Sequence, residues 1–197
     1  MAYQDDIKKA AALLLPWNKL SGCNILVTGA TGLIGGCLVD VLMAHKGRNY
    51  NVYASGRNEE RAGRRFLKYA DDNAFHFVKY DVAQPLEYDV NFQYIIHAAS
   101  GAYPEEFIKH PVEVIKGNIN GLDNLMGYGI QHGIKRLLYI SSGEVYGEGD
   151  GRVFTENYSG YVDCTSLRSC YPSSKRAAET LCISYGAESV SYTHLTL

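Results

Sequence analysis

The run Thr28-Gly29-Ala30-Thr31-Gly32-Leu33-Ile34-Gly35 constrains this chain more than any other. It follows the continuous apolar stretch Ile25-Leu26-Val27 and precedes a segment with Leu38, Val41 and Leu42 at helical spacing. A strand that passes through three spaced glycines into a helix has a physical use. The first glycine permits the tight turn, the second lets the backbone approach a pyrophosphate, and the third allows close helix–strand packing. The helix start adds free N–H groups and the positive end of its dipole. Gly29, Gly32 and Gly35, with Thr31, Leu33 and Ile34 between them, are therefore candidate dinucleotide-binding residues. The bland alternative is a glycine-rich turn.

The rest of the chain continues the alternation. Period and β-branched content predict strands over 24–28, 51–55, 75–80, 94–97 and 136–141. Helices are predicted over 32–45, with Leu33, Ile34, Leu38, Val41 and Leu42 on the apolar side, over 59–69 and over 171–185. Residues 105–132 hold helical segments with expected breaks near Gly117 and Gly121. Strands alternating with helices imply βαβ units, hence an α/β fold with a doubly wound parallel sheet. Residues 1–22 are expected to form a helical extension, an amphipathic helix ending at Pro16, and residues 23–188 the nucleotide-binding domain. The closing run Ser189-Val190-Ser191-Tyr192-Thr193-His194-Leu195-Thr196-Leu197 reads as non-native sequence from adapter read-through, the alternative being a short native strand.

At 197 residues and 46% hydrophobic content, one domain with a real core is expected. A net charge of −2 excludes a nucleic-acid binder that relies on a basic surface. No apolar run approaches the roughly 18 residues of a membrane helix, and no membrane partner is expected. Cys23, Cys37, Cys164, Cys170 and Cys182 show no Cys-x-x-Cys pair and no metal spacing, which suggests reduced thiols in a cytoplasmic protein.

Further candidates sit at the ends of the predicted strands. A cofactor with a free ribose wants a carboxylate after the second strand, but this chain has Ser55-Gly56-Arg57-Asn58. Arg57 would pair with a 2′-phosphate, which favours NADP over NAD. Arg61, Arg64, Arg65 and Lys68, at helical spacing, read mostly as a solvated face. Asp81-Val82 suits either an adenine amino group or a plain turn. In His97-Ala98-Ala99-Ser100 the small residues let a loop pass close to a cofactor, while His97 reads as a core histidine. Asn118, in a helical region, reads as a buried amide tying helix to strand backbone. Ser141-Ser142-Gly143-Glu144-Val145-Tyr146-Gly147 leaves the fifth strand at its carboxyl end, where open parallel sheets bind ligands. Tyr171 and Lys175 lie four apart on one helix face, where the ammonium favours the phenolate of a side chain that otherwise titrates near 10. Together the glycine run and this pair point to nicotinamide-dependent chemistry on a hydroxyl or carbonyl.

Taken in order and spacing, these residues resemble the extended short-chain dehydrogenase/reductase family, the nucleotide-sugar epimerases and dehydratases, over residues 24–188. The resemblance implies a Rossmann sheet, a bound NAD or NADP, a nucleoside-diphosphate sugar as substrate, and a homodimer of the full-length chain. It places Thr28 to Gly35, Asp81, Val82, Ala98, Ala99, Ser100, Asn118, Tyr171 and Lys175 around the cofactor, while Ser55-Gly56-Arg57 departs from the acid expected of an NAD-retaining member. It assigns Ser142, Tyr171 and Lys175 to catalysis: Tyr171 takes the hydroxyl proton as hydride passes to the nicotinamide, Ser142 bonds the same oxygen, and Lys175 holds the ribose. Sugar 4,6-dehydratases of the family carry an Asp where this chain has Gly143, so that water-expelling acid is missing. Glu144 is retained, as in UDP-glucuronate decarboxylases, whose helix opens much like Leu167-Arg168-Ser169-Cys170-Tyr171. The sequence looks closest to that branch. Extended members continue well beyond the Tyr/Lys helix, so the chain is expected to be a fragment with its last strands missing and little activity of its own. Two other readings remain open: an NADP-dependent carbonyl reductase, and a dinucleotide-sensing module without turnover.

Overall fold

A computed structural model describes residues 2–101 and 103–188. Five strands, β1 (Asn24–Thr28), β2 (Asn51–Gly56), β3 (Phe75–Lys79), β4 (Tyr94–His97) and β5 (Arg136–Tyr139), form one sheet in the order β3-β2-β1-β4-β5. Every neighbouring pair is parallel. The order reverses direction beside β1, which opens a crevice at the strands' carboxyl ends. The α/β parallel sheet expected from the alternation, and the Rossmann type that the resemblance implies, are what is observed.

Parallel strands need crossovers on both faces, so each strand is buried twice and reads as continuously apolar. In β1, Ile25 and Val27 point to one face and Leu26 to the other. The first face is covered by α2 (Leu33–Ala44) and α3 (Glu59–Phe66) through Val39, Leu42, Met43, Ala62 and Phe66. The second is covered by α5 (Pro111–Gln131) and α6 (Cys170–Glu188) through Leu122, Leu125, Met126, Ala178 and Cys182. α1 (Ala2–Ala11) packs against α2, burying Ile7 and Ala11.

Four expectations need correction. The N-terminal helix stops at Ala11, and Leu13, Leu14 and Leu15 that follow it are exposed, so Pro16 does not end it. The break in the 105–132 region falls at His110, between α4 (Pro104–Lys109) and α5, and not at the glycines. Pro111 opens α5, because its fixed φ and missing N–H suit a first helical position. α5 runs straight through Gly117 and Gly121. Gly121 serves close packing: a Cβ there would meet the Val82 side chain at 3.0 Å. Leu33 and Ile34 do not face the core; they are 86% and 53% exposed, while the buried Gly35 and Gly36 pack against the Gly29–Ala30 turn. Arg65 and Lys68 are not a solvated face. Both pair with the fully buried Asp40 of α2, at 2.6 and 2.9 Å.

Asp40 also accepts from the hydroxyls of Tyr3 (2.7 Å) and Tyr69 (2.9 Å). Burial pushes this carboxyl up, but the bonds from Arg65, Tyr3, Lys68 and Tyr69 outweigh it and hold it at about 2. One buried charge thus locks α1, α2 and α3 together. Removing a partner would strand it, which is costly. The run 189–197, expected to be non-native, lies outside the described residues. Among the described residues, no helix is long and apolar enough to cross a membrane.

Candidate active site

The candidate residues gather at the carboxyl ends of β1, β2, β4 and β5. After β1, Gly29 has φ +63°, and a Cβ there would lie 2.7 Å from Ala98 O and from the Ala99 backbone. Only glycine satisfies both the left-handed backbone and that approach. A Cβ on Gly35 would lie 2.4 Å from Gly29 O, and one on Gly32 would lie 3.2 Å from the same oxygen. Gly32 caps α2 with no side-chain bond, leaving the first-turn N–H groups to a ligand. Exposed Leu33 and Ile34 flank this opening, and half-buried Thr31 contacts the end of β2, 3.5 Å from a Cβ on Gly56. A backbone cradle with no room for a Cβ at Gly29 or Gly35 and little at Gly32, set at a free helix start, fits a dinucleotide pyrophosphate.

Arg57 is exposed just past β2 and makes no ion pair among the described residues. Asn58 caps α3, accepting from Arg61 N at 2.8 Å. Asp81 closes its own turn: Oδ1 accepts from Ala83 N at 3.1 Å. Val82 packs over Gly121. Asp81 is therefore committed at least in part to the turn that was its bland reading.

The loop after β4 is tied to both covering helices. Ser100 Oγ donates to Asn118 Oδ1 at 2.8 Å, Asn118 Nδ2 donates to Ser174 Oγ at 2.9 Å, and Ser174 Oγ donates to Tyr171 O at 3.0 Å. Asn118 does tie elements together, but through side chains of Ser100 and Ser174 rather than through strand backbone. Ser174 escaped the sequence reading. Its signal was its place three residues after Tyr171, on the same buried face.

Tyr171 and Lys175 sit in the buried first turns of α6. Lys175 Nζ donates to Ile140 O at 2.8 Å, lies 4.5 Å from the Tyr139 ring centroid and 5.7 Å from that of Tyr171. Burial pulls the ammonium down to about 8, against the charge of Glu179, which raises it. It therefore stays charged at neutral pH while close to the phenol. His97 is buried, with Nδ1 2.8 Å from Thr28 Oγ1. Burial, then the charge of Lys175, hold the imidazole down to about 3, so it is neutral at working pH. This is the core histidine expected, but it is not a fully satisfied one: its buried Nε2 has no hydrogen-bond partner among the described residues.

The loop after β5 continues this wall. Ser142 opens a single 3-10 turn, Gly143–Tyr146, and its Oγ accepts from Glu144 N at 3.3 Å. That turn packs against α6. The Glu144 carboxylate accepts from Arg168 Nη2 at 2.5 Å. The Arg168 guanidinium lies 4.6 Å over the Phe107 ring, and Phe107 stacks on Tyr171 at 4.7 Å. Arg176 on α6 donates to Val145 O at 2.6 Å and to Gly160 O at 2.9 Å, fixing the loop from behind. Phe107 was not reached by motif reasoning, and Arg168 and Arg176 stood only within family-like runs with no role assigned. Phe107 comes from a distant segment, and no spacing connects it to Tyr171.

A wall that presents a buried phenol beside an ammonium, a hydroxyl and a carboxylate can move a proton to or from an alcohol and serve the carbon next to it. Comparisons with known proteins place the chain in a family. The chain is 34% identical over 163 residues to UDP-glucuronic acid decarboxylase 1 of Danio rerio, covering 82% of this chain and 37% of that protein. It is 36% identical over 168 residues to UDP-glucuronic acid decarboxylase 6 of Arabidopsis thaliana, covering 84% and 47%. The chain thus spans less than half the length of these relatives. In fold it matches the UDP-Glc/GlcNAc 4-epimerase of Campylobacter jejuni with a TM-score of 0.71 at 20% identity, covering 87% of this chain and 51% of that one. Residues 25–197 match the NAD dependent epimerase/dehydratase family across nearly the whole chain, and the chain belongs to that family.

Proposed function

We propose that the full-length protein is a nucleotide-sugar decarboxylase working through transient oxidation at the sugar C4. A single observation carries the choice within the family: Glu144 stands on the same wall as Ser142 and Tyr171, with Gly143 rather than an acid beside it. A nicotinamide dinucleotide, when bound, supplies a reversible hydride acceptor. Gly29, Gly32, Gly35 and the α2 start bind its pyrophosphate, with Thr31, Leu33, Ile34, Ala98, Ala99, Ser100, Asp81 and Val82 around the rest, and Asn118 positions Ser100 and α6. Lys175 holds the ribose and, as a cation, lowers the cost of the Tyr171 phenolate. Tyr171 takes the C4 hydroxyl proton while Ser142 hydrogen-bonds the same oxygen. With C4 a ketone, the C5 carboxylate belongs to a β-keto acid, whose C5–C6 bond breaks to release CO2 and leave its electron pair as an enolate. Glu144 serves the proton that then joins C5, and Tyr171 returns its proton as C4 is reduced again.

The test is product analysis with UDP-glucuronate and the full-length protein. The expected products are CO2 and a UDP-pentose with no net change in cofactor. Conversion of UDP-glucose with UDP-glucuronate untouched would instead make the protein an epimerase. Net consumption of reduced cofactor would make it a reductase.

Arg57 supports NADP as the preferred cofactor, since it offers a guanidinium where a free ribose would want a carboxylate. NADP is expected to bind about tenfold more tightly than NAD, and Arg57→Ala to erase the difference. Titration of each dinucleotide into both proteins decides it; tighter NAD binding that Arg57→Ala leaves unchanged removes the assignment.

A further inference from the structure

We propose that Arg168 is the specificity-determining residue of this site, selecting a sugar that carries a carboxylate over a neutral one; the inference rests on the nucleotide-sugar reading above. Glu144 poses the problem Arg168 would solve. A uronate that brings C4 to Tyr171 carries its own carboxylate on the adjoining carbon, so two like charges must share the wall between Tyr171 and Glu144. Two carboxylates alone at such a distance repel, and one of them would be forced to protonate or leave.

The structure places a cation at that wall. Arg168 and Glu144 are half-exposed, at 46% and 38%, so the pair borders open space rather than core. The guanidinium is spread over the face of Phe107, which stacks in turn on Tyr171. That stack holds the guanidinium against one ring and places it one aromatic neighbour away from Tyr171. A guanidinium has five N–H donors along its edge. Glu144 takes one, through Oε1. A planar fork held by stacking suits a second carboxylate better than a flexible ammonium would. A neutral sugar brings no charge to this place and gains nothing from it. Arg168 also lies two residues before Cys170, whose Sγ faces Phe107 O at 3.7 Å, so the start of α6 that carries Tyr171 sets the Arg168 position as well.

A bland role is available: Arg168 as a brace joining the 143–146 turn to α4 through Phe107. The two roles predict different ligand dependence. In the full-length protein with its dinucleotide bound, affinities for UDP-glucuronate and UDP-glucose are measured by titration. Arg168→Gln is expected to weaken UDP-glucuronate about 100-fold and UDP-glucose less than about threefold. Adding Glu144→Gln to Arg168→Gln should restore part of the UDP-glucuronate affinity, because it removes the repelling carboxylate. Equal losses for both sugars, or no recovery in the double variant, overturn the inference while leaving the proposed function intact if the wild type still decarboxylates UDP-glucuronate. A wild type that binds UDP-glucose and not UDP-glucuronate overturns both. If Arg168→Gln does not fold, Arg168→Lys decides: it keeps the charge but loses the fork, and should cost UDP-glucuronate about tenfold and UDP-glucose nothing. Equal costs there count against Arg168 in the same way.

Discussion

Tyr171→Phe in the full-length protein is expected to lower the hydride-transfer rate by about 100-fold or more while leaving nucleotide-sugar binding within a few-fold of wild type. The reason is local. The substitution keeps the ring, so the 4.7 Å stack on Phe107 and the burial of the first turn of α6 survive. It deletes only the oxygen that accepts the C4 proton in the proposed mechanism. Lys175 remains in place, held by Ile140 O at 2.8 Å, so the variant does not create a loose cation. Single-turnover absorbance of the reduced nicotinamide, with a separate binding titration, checks it. A rate within about threefold of wild type would remove Tyr171 from the chemistry. A loss confined to affinity would mean that the phenol binds substrate and some other group takes the proton.

How much of this site was legible in the sequence follows from how local each constraint is. Gly29 was legible because a positive φ and a 2.7 Å approach by the Ala98–Ala99 backbone both require glycine. β1 was legible because burial on two faces leaves three apolar residues in a row. Tyr171 and Lys175 were legible because one helical turn separates them. The helix break at His110 was missed for a related reason: glycine was weighted as a breaker, whereas Gly121 lies in the helix to let Val82 come close and Pro111 alone resets the chain. Leu33 and Ile34 were misread because helical period was extended one turn too far, into the exposed mouth of the crevice. Asp40 gave no local signal at all. Its partners Tyr3, Arg65, Lys68 and Tyr69 lie 25 or more residues away, and although Arg65, Lys68 and Tyr69 share a helical spacing, no period connects them to Asp40 or Tyr3. The Arg168–Phe107–Tyr171 stack was hidden in the same way, since it joins α4 to the start of α6 across a segment with no common period.

Glu144→Gln separates the branches of the family most sharply. If the protein only oxidises and re-reduces C4, the reaction is complete once Tyr171 has moved its proton out and back. Glu144 then has no proton to carry, and the amide, nearly the same size, should be almost silent. If the protein decarboxylates, the carbon beside the ketone must gain a proton after CO2 leaves. Gln cannot supply or relay it as a carboxyl group can, and the expected loss is about 100-fold or more in product formation. The first half-reaction does not need Glu144, so hydride transfer should proceed and stop. The absorbance of reduced nicotinamide should rise and persist, where the wild type shows only a transient. The amide also loses its charge-assisted bond to Arg168, now 2.5 Å from Glu144 Oε1, and that frees the guanidinium for a substrate carboxylate. UDP-glucuronate binding should therefore hold or tighten while turnover collapses. Tight binding with stalled turnover is a signature that simple misfolding cannot produce. Normal product formation by Glu144→Gln would take away the reason for placing this chain with the decarboxylases rather than the epimerases.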